Sequence, residues 1–361
     1  MRAAMFHNCG DVRIEAVPDP APESGELLLE VRAAGICGTD SHEYAHGPAM
    51  FPIHQRHPVT GHVGPMIPGH ELAGRVVATG RDVKGFRLGE LVVSGAGISC
   101  GRCAWCRRGR TNLCARYASV GLQRHGGLAQ YCAVPAAICR SVEPHGLTDD
   151  AAALTQPMSI AVHAMRRGRL GSEDDAMIIG AGGVGAFLTF AAASTGARVT
   201  VLDLDPERLA IAERLGADDV LRPDSFASMF EQLPLAEGCP TVVFEVSGTP
   251  AGLRTATQVL PSGGRLVQVG LQPEVTEFDL RSFTLREFEL VGTNAHVCGE
   301  DLPEALRLLA ARDESWSDVA PVALSLDRLV PDGLVPLADG HSRWIKTLVD
   351  PWADAPRDTR M

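Results

Sequence analysis

Apolar and polar residues alternate over short stretches in the first part of the chain, and Gly and Pro separate these stretches. Such alternation indicates strands of which one face is buried. The strands predicted on this basis cover residues 2–7, 12–16, 26–34, 72–79 and 91–94. Residues 44–68 show no period and contain several Pro and His residues. The sequence therefore predicts a long loop there, of a length that usually carries function.

From about residue 151 the pattern changes to short apolar runs that alternate with helical segments. Asp205 is placed to cap one of these helices, with Pro206 in its first turn. The alternation is typical of a doubly wound parallel sheet, which assigns the chain to the α/β class. Strands are predicted at residues 177–180, 198–202, 241–246, 264–269 and near 345–349, and helices at 184–195, 206–215 and 302–311.

Length and charge narrow the classes of function. A chain of 361 residues is long enough for two domains. The formal net charge of −11 argues against a nucleic-acid partner, because phosphate binding requires a basic surface. No apolar run approaches the roughly 18 residues that span a bilayer, and the N-terminus lacks the pattern of a signal peptide. We expect a cytoplasmic protein that binds neither membranes nor nucleic acids.

Four of the ten cysteines crowd into one short segment with C-x2-C-x2-C-x7-C spacing. In a reducing compartment such a cluster binds metal more often than it forms disulfides. Four thiolates can close a tetrahedron around a structural zinc ion, and an iron–sulfur cluster is the alternative. The four residues are Cys100, Cys103, Cys106 and Cys114.

A glycine-rich G-x-G-x-x-G segment follows one predicted strand and opens a helix, which is the context that dinucleotide binding requires. The glycines allow a tight turn, close approach of the pyrophosphate and close packing of helix on strand. Asp203 ends the next strand, where a carboxylate binds ribose hydroxyls and disfavours a 2′-phosphate, so NAD is favoured. Arg208 could lie near the adenosine. The residues of the segment are Gly180, Gly182, Gly183, Val184 and Gly185.

A second group of possible metal ligands lies near the N-terminus. Cys37 follows a predicted strand, and His70 and Glu71 occur together 33 residues later. Cysteine, histidine and carboxylate are the ligands that zinc accepts in catalytic sites, which keep a position for water or substrate.

Five motifs in order, GICGTD, GHE, the four-cysteine segment, GAGGVG and VLD, make the chain resemble the medium-chain, zinc-containing alcohol dehydrogenase superfamily. The segment HPVTG before PGHE resembles the butanediol dehydrogenase branch, with polyol (sorbitol) and threonine dehydrogenases as neighbours. The resemblance implies a GroES-like β-rich catalytic domain at 1–150 with a structural zinc lobe at about 95–116. It also implies a Rossmann domain at 151–292 and a return segment at 293–361.

The resemblance further implies two zinc ions per chain and an active site in the cleft between the domains. Cys37 and His70 would hold the catalytic zinc, with Glu71 as a permanent or exchangeable ligand. A proton relay would run through Thr39 towards His42, although Thr39 could instead be a helix N-cap and His42 a plain surface residue. The nicotinamide would be contacted by Val269, Gly270, Leu271, Thr293 and Asn294.

One residue departs from this branch. Gln156 stands where butanediol and polyol dehydrogenases carry a glutamate that lies at the zinc or holds its water. Two interpretations remain open. Either the Gln156 amide hydrogen-bonds the metal-bound water, or the zinc is held more loosely and activity is weak or specialised.

The function expected from the resemblance is reversible, NAD-linked oxidation of a secondary alcohol or vicinal diol to a ketone. A dehydrogenase of a cyclitol, sugar or biosynthetic intermediate is one alternative, in which the histidine-rich loop would line the pocket. A catalytically weakened binding protein of the same fold is another. Members of the superfamily associate through the edge of the Rossmann sheet, here near residues 287–292, so a homodimer or homotetramer is expected.

Overall fold

The computed structural model describes residues 1–223, 240–272 and 274–361. The chain divides into two compact units, of which the first comprises residues 1–159 and 296–361 and the second residues 160–295. None of the helices in the described ranges is long and apolar enough to cross a membrane.

The first unit is rich in strands. Its helices are α1 (Gly38–His46), α2 (Ala104–Arg107), α3 (Asp149–Ala153), the start of α4 (Thr155–Gly168), α9 (Asp301–Ala310) and α10 (Val335–Ala338). Its strands are β1 (Arg2–Asn8), β2 (Asp11–Ala16), β3 (Glu26–Gly35), β4 (Glu71–Thr79), β5 (Leu91–Ser94), β6 (Gly97–Ile98), β7 (Ala118–Ser119), β8 (Tyr131–Pro135), β9 (Cys139–Ser141), β16 (Val322–Leu324), β17 (Leu348–Val349) and β18 (Arg357–Asp358).

An eight-stranded sheet organises this unit, with strand order β18-β16-β17-β3-β4-β5-β9 and β8 also paired to β3. Strand β3 is central because it pairs antiparallel with β4, β8 and β17. Its alternate residues Leu27, Leu29 and Val31 are fully buried in the hydrophobic core. The C-terminal part of the chain thus returns to the sheet built by the N-terminal part, since β17 pairs with the end of β3.

The second unit is built on a parallel sheet. Its helices are α5 (Gly183–Ala193), α6 (Pro206–Arg214), α7 (Pro250–Val259) and α8 (Leu280–Leu285), together with most of α4. Its strands are β10 (Asp175–Ile179), β11 (Arg198–Leu202), β12 (Asp219–Leu221), β13 (Val242–Glu245), β14 (Arg265–Gln268) and β15 (Glu289–Gly292). The strand order is β12-β11-β10-β13-β14-β15, and every pair is parallel. The predicted doubly wound α/β fold is confirmed.

Most predicted elements are confirmed within a residue or two, and Asp205 caps α6 by accepting the Glu207 N–H at 2.8 Å. The pattern did not indicate α4, α7, β12 or β15, and three further predictions were wrong or incomplete. Residues 44–46, predicted as loop, form the last turn of α1. The C-terminal part also contains β16, α10 and β18, which the pattern did not indicate because they are only two to four residues long. The final strand is confined to β17.

Candidate functional site

The register of two antiparallel strands brings the first set of possible metal ligands together. Gly35 at the end of β3 pairs with Glu71 at the start of β4. Cys37, two residues beyond Gly35, and His70, one residue before Glu71, therefore lie at the same edge of the sheet. Cys37 then precedes α1, and its backbone N–H donates to the Asp40 carboxylate at 2.9 Å.

These residues form a donor set for one metal ion. The ligand atoms of Cys37, His70 and Glu71 all lie within 4.8 Å of one another, and His70 and Glu71 are buried. Among the residues that the structure describes, the buried Oε2 atom of Glu71 has no hydrogen-bond partner. A thiolate, an imidazole and a carboxylate oxygen meet the preferences of zinc and leave a fourth position open. The residues present therefore fit a catalytic zinc ion.

The electrostatics of this group also favour a cation. Burial alone would lower the pKa of His70, but the charges of Cys37 and Asp40 raise it to about 10. Burial raises the pKa of Asp40, and its Oδ1 atom lies 3.8 Å from His70 Nδ1. The cluster thus gathers more negative than positive charge in a buried place, and a divalent cation would correct this imbalance.

Sequence reasoning missed Lys346, which lies two residues before β17. Its ammonium group donates to Glu71 Oε1 at 2.6 Å and to the Ile36 carbonyl at 3.0 Å, with only 6% of the residue exposed. Burial alone would lower the pKa of Lys346, but Glu71 and Cys37 raise it, so the ammonium stays charged. Lys346 therefore holds the Oε1 atom of Glu71 in place, and the Oε2 atom stays available to bind a metal ion.

Gly35 makes room for this arrangement. A Cβ atom at position 35 would lie 2.0 Å from Glu71 Oε2. Any side chain there would displace the carboxylate. Glycine is needed at position 35 because Glu71 lies so close to the backbone, and not because of an unusual backbone conformation.

The remaining predicted catalytic residues lie in the first unit. Thr39 is half-buried in the first turn of α1, and its hydroxyl lies 3.8 Å from Cys37 Sγ. His42 follows one turn later and is exposed. Cys37, rather than Thr39, occupies the N-cap position of this helix. Gln156 is 6% exposed in the first turn of α4.

The four clustered cysteines form a second donor set, with all four sulfurs within 4.8 Å of one another. Cys103 Sγ lies 3.5 Å from Cys106 Sγ and 4.0 Å from Cys114 Sγ. Since Zn–S bonds are about 2.3 Å, two sulfurs of a tetrahedral site lie about 3.8 Å apart. These separations exceed a disulfide bond and suit one ion more closely than a cluster of several irons.

Backbone groups support the thiolate form in this lobe. The N–H groups of Cys100 and Arg116 donate to Cys114 Sγ at 3.2 and 3.3 Å. Backbone N–H groups of Cys106 and Ala115 lower the pKa of Cys103 to about 6. Burial raises the pKa of Cys114 to about 11, a cost that a bound metal ion would offset by holding the thiolate.

In the second unit, the glycine-rich segment joins β10 to α5. Gly180 has φ of 104°, a conformation that favours glycine, and Gly182 is the N-cap of α5, which begins at Gly183 and continues through Val184. A Cβ atom on Gly185 would lie 1.8 Å from the Gly180 carbonyl oxygen, so the helix packs directly against the turn. The N–H groups in the first turn of a helix are where proteins commonly bind phosphate groups.

Asp203 lies beside this turn. Its two carboxylate oxygens accept N–H groups from Ala181 at 2.6 Å and from Asp205 at 2.9 Å. Arg208 lies 3.6 Å from the Asp205 carboxylate, and its guanidinium lies 3.9 Å from where a Cβ on Gly182 would be. The structure thus brings the glycine turn, Asp203 and Arg208 together.

A buried acid that sequence reasoning missed organises the neighbouring strand ends. Glu245, at the end of β13, is fully buried, and its carboxylate accepts from Gln268 Nε2 at 2.6 Å and from the Gly248 N–H at 3.1 Å. Its backbone carbonyl accepts the N–H groups of Val269 and Gly270, both at 2.9 Å. Glu245 therefore fixes the turn from Val269 through Gly270 to Leu271.

This turn belongs to the same edge of the sheet as the glycine-rich segment. A Cβ on Gly180 would lie 2.9 Å from the Ser247 N atom, and a Cβ on Gly248 would lie 2.9 Å from the Leu271 carbonyl oxygen. Thr293, which donates its N–H to the Gln268 carbonyl at 3.3 Å, and Asn294 directly follow β15. The carboxyl ends of parallel strands are where such folds bind dinucleotides.

The two units together define a metal-dependent, nicotinamide-linked dehydrogenase. Residues 23–144 match the alcohol dehydrogenase GroES-like domain, and residues 183–311 match the zinc-binding dehydrogenase domain. L-threonine 3-dehydrogenase of Cronobacter sakazakii is 32% identical over 312 residues, which are 85% of this chain and 86% of the relative. The chain belongs to the zinc-containing alcohol dehydrogenase family, whose members are oxidoreductases that act on CH–OH groups.

Solved structures agree with this assignment. 2R,3R-butanediol dehydrogenase from Bacillus subtilis is 30% identical with a TM-score of 0.87, and the match covers 97% of this chain and 99% of that one. A zinc-binding dehydrogenase from Sinorhizobium meliloti, bound to NADP, is 27% identical with a TM-score of 0.84 and the same coverage.

Proposed function

We propose that this protein reversibly oxidises a secondary alcohol or vicinal diol to a ketone with NAD. The observation that carries the proposal is the donor set of the half-buried Cys37 and the buried His70 and Glu71, whose ligand atoms all lie within 4.8 Å of one another. The substrates named for the two relatives, threonine and butanediol, both carry a secondary hydroxyl beside a second polar group. A small molecule of this class is the expected substrate.

Cys37, His70 and Glu71 would hold the catalytic zinc, and Cys100, Cys103, Cys106 and Cys114 the structural one. When bound, zinc supplies Lewis acidity to the substrate oxygen, and the nicotinamide accepts or returns the hydride. Thr39, whose hydroxyl lies 3.8 Å from Cys37 Sγ, would take the hydroxyl proton of the substrate. His42, one turn later and exposed, would pass that proton to solvent.

The substrate class is tested by following NADH formation with 2R,3R-butanediol, L-threonine, sorbitol, a cyclitol and a primary alcohol. We expect kcat/KM for the vicinal diol to exceed that for the primary alcohol by at least about tenfold. A preference for the cyclitol or sugar would support the alternative dehydrogenase. Binding of NADH without turnover of any of them would support a catalytically weakened binding protein.

Asp203 is proposed to set the preference for NAD over NADP. We expect Asp203→Ser to shift the ratio of kcat/KM values about 100-fold towards NADP, because a like charge facing the 2′-phosphate costs several kcal/mol. Asp203→Asn removes the charge but retains one oxygen for the Ala181 N–H. A similar shift in both variants, measured with each cofactor, would identify charge as the cause; an unchanged ratio would contradict the proposal.

Gln156 is proposed to face the catalytic metal. We expect Gln156→Glu to slow the loss of one zinc to a chelator by about tenfold, since an added carboxylate strengthens the ligand shell. The zinc of the cysteine lobe serves as an internal control and should leave at the same rate in both proteins. If the catalytic zinc leaves the variant as fast as it leaves the unmodified protein, Gln156 does not act at the metal.

The protein is proposed to form homodimers or homotetramers through β15, the last strand of the parallel sheet. Leu290 on this strand is 51% exposed, and Leu280 and Leu285 on α8 are 69% and 70% exposed. We expect Leu290→Glu to reduce the particle mass measured by small-angle scattering, because a charge on an edge strand opposes pairing. Leu88→Glu, at a position in the first unit that is 70% exposed, should leave the mass unchanged. A single-chain mass for the unmodified protein would refute association.

We also propose that residues 1–150 and 293–361 form the catalytic domain, with the zinc lobe at about 95–116. Residues 151–292 would bind the dinucleotide. The match over 23–144 lies within the first of these segments, and the match over 183–311 begins within the dinucleotide-binding segment. The cytoplasm is the proposed location.

A further inference from the structure

The exposed face of α1 presents two histidines that the dehydrogenase reaction does not require together. His42 and His46 are four residues apart, so they lie on one face of the helix, and both are exposed. Their ring centres are 5.2 Å apart and their planes differ by 56°. Within the described ranges neither imidazole has a hydrogen-bond or ion-pair partner.

This separation suits two ligands of one metal ion. With Zn–N bonds of about 2.0–2.1 Å, two imidazoles on a tetrahedral ion have ring centres roughly 5 Å apart. The tilt of 56° lies between the parallel and the perpendicular arrangements, so the pair adopts neither of the two preferred geometries of an aromatic contact.

The helix end that carries the pair is held in place by the turn between β1 and β2. The Gly10 N–H donates to the Tyr44 carbonyl at 2.7 Å, and the Cys9 thiol donates to the Ala45 carbonyl at 3.1 Å. The backbone of both histidines is therefore positioned before any metal binds, which reduces the ordering that binding requires.

We propose that His42 and His46 bind one divalent ion of the zinc or nickel type, with water completing its coordination. This site is separate from the two donor sets described above. Occupation would inhibit the enzyme, because a metal-bound imidazole nitrogen has no lone pair left to accept a proton from the relay. The inhibitory effect rests on the proposed function, whereas the metal site does not.

Calorimetric titration of the zinc-loaded enzyme with nickel chloride tests the site. We expect one nickel ion per chain, and binding at least tenfold weaker in both His42→Gln and His46→Gln. His54→Gln, at an exposed histidine outside the pair, and Cys9→Ser, at the nearby exposed thiol, should bind as the unmodified protein does. Unchanged binding by His46→Gln, or its loss in Cys9→Ser, would overturn the proposed site.

Activity then separates the two parts of the proposal. Without added nickel, His46→Gln should turn over like the unmodified enzyme, and it should need at least tenfold more nickel for half-inhibition. Equal sensitivity of the two proteins to nickel would overturn the inhibitory role. Binding that needs both histidines but does not inhibit would leave the metal site in place and contradict the relay role of His42.

Discussion

The kcat/KM for alcohol oxidation should fall by about three orders of magnitude or more in Cys37→Ala. Without the metal ion, the transition state loses several kcal/mol of charge stabilisation, so the barrier rises. The variant should also contain one zinc per chain instead of two. Cys37 is the N-cap of α1, and its thiol is the only sulfur in the donor set with His70 and Glu71. Zinc content by mass spectrometry and kcat/KM by NADH formation are the measurements.

A matched change in the cysteine lobe distinguishes loss of a catalytic ion from general damage. Cys103→Ser should also remove one zinc, but it should lower the melting temperature more than Cys37→Ala does. Its remaining folded fraction should turn over at a rate close to that of the unmodified enzyme, because the lobe has no open position for substrate. Full activity and two zinc ions in Cys37→Ala would contradict the assignment of the catalytic site.

The parallel sheet could be predicted because the signals for its strands and turns come from residues that are close together in the sequence. Buried parallel strands are short apolar runs. The tight turn from strand to helix requires glycines, which occur at positions 180, 182, 183 and 185. The cysteine lobe could be predicted for the same reason, since four ligands within fifteen residues need no distant partner. In both cases residues close in sequence are close in space.

The surroundings of the catalytic donor set could not be predicted in this way. Lys346 approaches Glu71 only because β17 returns to pair with β3, and two-residue strands leave almost no periodic signal. One signal existed, since Lys346 is one of two lysines in a chain that otherwise uses arginine. Glu245 was missed for a different reason. It is the last residue of an apolar strand, and an acidic residue at that point of a sequence usually indicates the start of an exposed turn.

Gln156 is the residue proposed to face the catalytic metal. The sequence places Gln156 where related enzymes carry a glutamate, and the structure buries it at the start of α4. Glu71 then supplies the only carboxylate in the described donor set. Anything that orients Glu71 should therefore matter more here than in enzymes with a second carboxylate.

Lys346 is the residue that orients Glu71, and Lys346→Met should be strongly destabilising. Removing one partner of a buried ion pair costs about 3–5 kcal/mol, which in a unit of this size lowers the melting temperature by roughly 6–20 °C. The loss should be larger after zinc is removed by a chelator, since the metal also neutralises Glu71. Lys346→Arg keeps the charge and should lose much less.

The double variant Lys346→Met/Glu71→Gln identifies the ion pair as the cause. Without a buried carboxylate, the missing ammonium no longer leaves an uncompensated charge, so the double variant should be more stable than Lys346→Met alone. The single variant Glu71→Gln completes the comparison, and both it and the double variant should lose the catalytic zinc, so stability is compared on the metal-free proteins. Additive losses in thermal unfolding of the metal-free proteins would contradict the pairing, because independent residues show no coupling energy.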